Sequence, residues 1–146
     1  MSKLKVRAWS EEDGRWKYYT IGETISDKLI DYNAHCINGE RFYQSTGLIA
    51  VGGVEIFEGD IVQQDCHVCY SNGGHSDDFE IDITHVGKVV IVPSKGVCMY
   101  QARCTDHLNN DKKTMCTGYT NVRSYRAKVI GNIHEHPELL KGIDHE

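Results

Sequence analysis

The chain has 146 residues, of which 40% are hydrophobic, and it carries a formal charge of −5 with a pI of about 5.9. That length suits one domain able to bury a core without covalent staples. The acidic balance argues against a general electrostatic grip on nucleic acid, and no apolar run approaches the ~20 residues of a membrane helix.

Lys3 to Trp9 alternates, with Leu4, Val6 and Ala8 on one face and Lys3, Lys5 and Arg7 on the other. A strand with one wet side is expected there. Glu11-Glu12-Asp13-Gly14 reads as a hairpin loop, and Arg15 to Ile21 as the returning strand. Trp9, Trp16, Tyr18 and Tyr19 fall close together. Such a cluster is either a ligand platform or, more commonly, cross-strand packing. Gly22 to Gly39 is ambiguous between a turn, with Ser26 capping a brief helix, and a short strand. Arg41 to Gln44 reads as a strand, Ser45-Thr46-Gly47 as a turn, and Leu48 to Val51 as a short apolar run. Gly52-Gly53 then makes a hairpin turn into Val54-Glu55-Ile56-Phe57.

The stretch Ile56-Phe57-Glu58-Gly59-Asp60-Ile61-Val62 is a turn that feeds a strand. Gly59 reaches positive φ without steric cost, and Asp60 can bond nearby backbone. Glu58 and Asp60 therefore read as turn-shaping residues rather than catalytic ones. Ile61 to Val68 continues the strand, Tyr70 to Asp78 is a polar loop, and Phe79, Ile81 and Ile83 mark a half-buried strand. Gly87-Lys88 reads as a break before the buried run Val89 to Val92, which Pro93 ends. Val97 to Cys104 is a further strand. Thr105 to Gly118 reads as a long mobile loop, and Val122 to Ile133 as the last strand region. His136-Pro137-Glu138-Leu139-Leu140 has the pattern of a short helix with Pro at its first position.

These elements predict a mainly β protein. It has a small SH3-like or related β-barrel around Glu55 to Val92, an N-terminal β-hairpin and a short C-terminal helix. Residues 1–146 form a single domain, with an N-terminal β region at 1–50 and the barrel with its long central loops at 51–140.

Two cysteine units stand out. Cys66-His67-Val68-Cys69 is a C-x-x-C unit, and Cys104-Thr105-Asp106-His107 is a C-x-x-H unit. Ligands three apart on tight turns converge on one ion, so Cys66, Cys69, Cys104 and His107 are the candidate ligands of a structural zinc. Cys116, His67, His75 and Cys98 lie near as substitutes. The competing reading is six inert reduced thiols, since free Cys is among the most buried residue types. A redox role for Cys66 and Cys69 would need the pair to open a helix in a βαβ unit, and the pattern offers none. His134-Glu135-His136 is most simply a solvated surface. Met1-Ser2-Lys3-Leu4-Lys5 lacks the apolar core of a signal peptide, which leads to the expectation of a cytoplasmic protein.

Gln44-Ser45-Thr46-Gly47-Leu48, Glu55 to Val62, and Val129-Ile130-Gly131-Asn132-Ile133 followed by Pro137-Glu138-Leu139-Leu140 occur in that order. With the opening Lys5-Val6-Arg7-Ala8-Trp9 they resemble the YopX family of small phage and prophage proteins. The resemblance implies a mainly β protein with a barrel-like part and a phage or prophage origin. It supplies no catalytic residues. The Cys- and His-rich stretch Gln63 to Thr120 falls outside the shared pattern.

The function expected from these observations is that of a non-enzymatic phage or prophage accessory protein in the bacterial host cell. It would act by contact with a protein partner or as a homo-oligomer, without a membrane. A rival reading is a nucleic-acid-binding small barrel using Trp9, Trp16, Tyr18, Tyr125, Arg123 and Arg126. Another is an interaction module stabilised by zinc. A hydrolase or thiol enzyme would require a Cys or His beside a carboxylate in a pocket.

Overall fold

Alternation along the chain becomes strand pairing almost throughout. The computed structural model describes residues 4–21, 30–31, 36–37, 40–70 and 79–140. Among these residues twelve strands follow in order: β1 (Leu4–Ser10), β2 (Arg15–Ile21), β3 (Ile30–Asp31), β4 (Cys36–Ile37), β5 (Glu40–Ile49) and β6 (Glu55–Phe57). They continue with β7 (Asp60–Tyr70), β8 (Phe79–Val92), β9 (Gly96–Asp106), β10 (Lys112–Met115), β11 (Tyr119–Asn121) and β12 (Ala127–Asn132). The stretch 22–39, ambiguous in the sequence, contains the short strands β3 and β4; its other residues, like the expected loop at 71–78 with His75, lie outside the described residues.

The strands form two antiparallel sheets. One runs β2-β1-β5-β4-β3, with β6 beside β5; the other runs β10-β9-β8-β7-β12, with β11 beside β9. The expected closed barrel is not seen among the described residues. Closure needs an edge of one sheet to hydrogen-bond to the other. Among the described residues no strand of one sheet pairs with a strand of the other, and β6, three residues long, pairs with β5 alone. The N-terminal hairpin is as expected, with Trp9 opposite Trp16 in register and their rings edge to face at 5.2 Å.

Four local expectations are corrected, each for an identifiable reason. Ser45-Thr46-Gly47 does not end a strand: β5 runs through it with a register shift against β6 between Ser45 and Ile49. The hydroxyls of Ser45 and Thr46 accept from Gly47 N and Leu48 N, and Gly47 takes φ 80°, so the signal marks a bulge. Gly87 does not break the chain either. It sits inside β8, where a Cβ would meet Met99 Cβ at 3.0 Å and Ala102 Cβ at 3.1 Å; here glycine marks a close approach between strands. Thr105 to Gly118 is a hairpin rather than a loop. Asn110 and Asp111 both take positive φ (56° and 54°) between Asn109 and Lys112, and Lys112 N bonds Asn109 O at 3.0 Å. That is a mirror-image turn which suits strand twist, so β10 returns along β9. Among the described residues the tail forms one 3-10 turn, Pro137–Leu140. Leu139 N bonds His136 O, three residues back, at 3.1 Å, the bond of a 3-10 rather than an α turn, and Asn132 Oδ1 accepts from His134 N and Glu135 N at 2.9 Å ahead of it.

The main core is built by Ala50, Ile56, Val62, Val89, Met99, Ala102, Val122 and Ala127, drawn from the β5–β6 hairpin and the second sheet. A smaller cluster, Val6, Ala8 and Phe42 with Tyr19 against it, belongs to the first sheet. What ties the two together is the turn at Glu58-Gly59-Asp60. Glu58 N bonds Gln44 O, Gly59 N bonds Val89 O, and Ile133 N bonds Gly59 O, at 2.9, 2.9 and 3.1 Å. Gly59 takes φ 89° with its Cα against the Tyr43 ring, where an added Cβ would come within 3.2 Å. Asp60 accepts from Phe57 N at 2.8 Å and forms a buried ion pair with Arg7 of β1. The Arg7 guanidinium also lies 3.8 Å from the Trp16 ring centroid and 4.5 Å from that of Phe57. Burial raises the Asp60 carboxyl above the usual range, and Arg7 and the Phe57 N–H act against that rise.

On the outer side of this junction His134 stacks on Trp9 at 5.3 Å, nearly parallel, with Trp16 and Tyr43 edge-on to it. Its Nε2 is 3.0 Å from Tyr43 Oη. Burial holds the His134 pKa below the ordinary histidine value, and burial does the same to His85. With depressed folded-state values, the unfolded chain binds more protons as pH drops through ~6.5, the unfolded histidine value. Stability is therefore expected to fall on acidification through that pH and to level off below the folded-state values. Thermal midpoints measured at intervals from pH 8 to pH 5 should show a slope that His134→Phe reduces; an unchanged slope would rule His134 out as a source.

Candidate metal centre and adjoining pocket

The central strands of the second sheet place chemistry in rows across the sheet rather than along the chain. Register puts Gln64 opposite His85, His85 opposite Cys104, and Cys104 opposite Thr114. Paired residues share a face, so His85 and Cys104 project to the same side. Cys116 follows β10 and is held there by its N–H bond to Ala102 O at 2.8 Å. A ring nitrogen of His85 and the Sγ atoms of Cys104 and Cys116 consequently lie within 4.8 Å of one another. Burial, and then the neighbouring Cys116 thiol, push the Cys104 thiol up; the Thr114 hydroxyl works the other way. His85 Nδ1 is buried without a hydrogen-bond partner among the described residues.

Beside this triad is a cavity of about 390 Å³ lined by Gln64, Cys66, His85, Tyr119, Asn121 and the two arginines Arg123 and Arg126, with Thr120. Gln64 anchors its wall, donating from Nε2 to Asn121 O at 3.1 Å and accepting at Oε1 from Arg123 N at 2.7 Å. This buried glutamine fixes the 121–123 segment to β7 and so sets the position of both arginines.

The four residues marked by sequence spacing are arranged differently from paired knuckles. Cys66 and Cys69 both lie within the continuous strand β7, which lacks the tight turn such a unit needs; the side chain of Cys69 lies outside the described ones. Cys66 is opposite Ile83 and shares the face of His85. Cys104 is on that face too. His107 is on the other, with Nε2 2.7 Å from Thr84 Oγ1 and Nδ1 2.8 Å from Asp111 Oδ1. Its pKa is raised, chiefly by the Asp111 hydrogen bond. The structure thus brings Cys104 to His85 and Cys116 and sets His107 apart. Among the substitutes, Cys98 is buried with Sγ 3.4 Å from Asn121 Oδ1, and His67 lies 3.4 Å from Glu80. His85 had one visible signal: it extends the series Ile81, Ile83 on a strand face that is otherwise apolar.

The aromatic and basic residues considered for nucleic acid fall into two groups, apart from Tyr18, which is 60% exposed and lies edge-on to Phe57 at 5.8 Å. Trp9 and Trp16 are engaged with His134, Tyr43 and Arg7 at the junction. Arg123 and Arg126 line the cavity, with Tyr125 exposed and 5.3 Å from the Arg126 guanidinium. No helix among the described residues is long and apolar enough to cross a membrane.

Fold and site together define a two-sheet, mainly β protein whose chemistry-bearing side chains converge across strands β8 to β10. The chain belongs to the YopX family: the family model described as YopX protein matches residues 5–141. Among curated proteins none matches the sequence.

Proposed function

We propose that this YopX protein is a non-enzymatic accessory protein of a phage or prophage that works through protein contact, beginning with contact between its own copies. The observation that carries this reading is the tip of the β5–β6 hairpin. Ile49, Val51 and Val54 are each about half exposed there, at 52%, 53% and 50%. A single exposed aliphatic side chain is ordinary, whereas three at one tip form a patch with a reason to be covered. The tip is also held in place: Ala50 N bonds Val54 O at 2.7 Å, Gly53 N bonds Ala50 O, and Val51 N bonds Ala127 O of β12 at 2.9 Å. A pre-shaped apolar surface loses little conformational entropy on docking. Edge pairing is the weaker route to assembly, because the edge strand β2 carries Arg15 and Lys17, and charge blunts an edge.

Covering the rest of each side chain is worth on the order of 1 kcal/mol, so a two-fold contact that hides both tips gains several. Light scattering on a concentration series is expected to show a dimer or larger species. Val51→Asp together with Val54→Asp should weaken assembly at least tenfold while leaving the circular dichroism spectrum unchanged. A strict monomer at every concentration would remove self-association from the reading.

A further inference from the structure

We propose that His85, Cys104 and Cys116 bind a zinc ion through two thiolates and one neutral imidazole, with the fourth position taken by water. The inference rests on the triad itself and is independent of the surface reading above.

Three observations meet at this site. The first is spacing. Three soft or borderline donor atoms lie within 4.8 Å of one another, and two thiolates on a tetrahedral zinc stand about 3.8 Å apart, so small side-chain movements suffice. The second is the supporting frame. Each donor is on a different strand or strand end, held by register between β8 and β9 and by the Cys116 N–H to Ala102 O bond. A site built on paired strands keeps its geometry better than one on a loop. The third is the orphaned imidazole. His85 Nδ1 is buried and no group among the described residues bonds it, an arrangement that costs stability unless something else satisfies the ring.

Sulfur–sulfur–nitrogen donor sets select zinc and related thiophilic ions over calcium and magnesium, which prefer oxygen. Binding releases the two thiol protons to solvent and leaves both sulfurs as metal ligands. Three protein ligands with one open place is also the donor count of zinc sites that admit a further ligand. Here the cavity lined by His85, Cys66, Arg123 and Arg126 is the side from which such a ligand would come. The sequence-spaced partner His107 is not required, because Thr84 and Asp111 hold it on the opposite face.

Full-length protein purified without chelator and without added metal is expected to contain about one equivalent of zinc by mass spectrometry of the elements. Cobalt(II) exchanged into the wild-type protein should give tetrahedral d–d bands and a charge-transfer band sized for two thiolates, a readout that needs no variant to fold. Cys104→Ser and Cys116→Ser should each lose the metal, and His107→Asn and Cys66→Ser should retain it. Failure to bind zinc or cobalt would overturn the proposal. So would a Cys104–Cys116 disulfide in protein kept under reductant, or full metal retention in both serine variants. Loss of metal in Cys66→Ser would overturn the open fourth position.

Discussion

Asp60→Ala is expected to lower the unfolding free energy by about 3–5 kcal/mol, the cost of leaving a buried ion unpaired. Arg7 would then be left in a site where its side chain is only 8% exposed, with Nε already lacking a partner among the described residues. The substitution also removes the acceptor of the Phe57 N–H. Urea denaturation, followed by tryptophan fluorescence because Trp16 lies against Arg7, checks the size. Arg7→Met should act through a different variable. Asp60 is already raised by burial, and Arg7 is the largest influence holding it down, so without Arg7 its folded-state pKa rises further. A carboxyl raised in the folded state favours folding fully below its unfolded value, ~3.9, and that advantage is lost as pH climbs through the folded value. Arg7→Met should thus be closest to wild type in acid and fall away towards neutrality. Replacing both residues with apolar ones of similar volume should recover most of the loss. A near-neutral Asp60→Ala would show that the turn, not the ion pair, holds the sheets together.

Gly87→Val is expected to cost about 3 kcal/mol, at the upper end of overpacking effects. Even a single added carbon meets Met99 Cβ, Ala102 Cβ and the Ala102 backbone at 3.0 to 3.2 Å, and Met99 and Ala102 are fully buried. The backbone of β9 cannot move aside freely, because β8 pairs with it on both sides of a register shift at this point. The series Gly, Ala, Val at position 87 should show falling denaturation midpoints with increasing side-chain size. A flat series would mean the two strands separate cheaply.

These two positions also show how far the sequence could be read. Alternation located β1, β2 and the start of β8, since one buried face imposes a period of two on side chains, whereas along β7 it was imperfect. The turn at Glu58-Gly59-Asp60 was legible from its own chemistry. Its counterion was not, because Arg7 lies fifty-three residues away and looked like one more solvated charge on a wet strand face. Glycine carried two meanings with one symbol: at Gly59 it permits a positive φ, and at Gly87 it permits contact between backbones. Only the neighbouring strand tells them apart. The same limit governed the cysteines. Spacing of three along the chain is informative when the chain turns, but β7 and β9 are extended through Cys66, Cys69 and Cys104. His85, Cys104 and Cys116 are instead neighbours across strands, and proximity of that kind is written in register.

The turn that joins the sheets has a consequence for how the chain can vary. β7 leaves it at Asp60 and runs to Tyr70, so the far end of the β7–β8 ribbon is roughly 33 Å distant at ~3.3 Å per residue. Residues inserted or deleted beyond its last pair, Tyr70 with Phe79, leave the register of the ribbon as it is. Insertion within Ile56 to Ile61 would instead displace the partners of four strands at once. Tolerance of length change should therefore be sharply graded along this ribbon, high at its outer end and near zero where it begins.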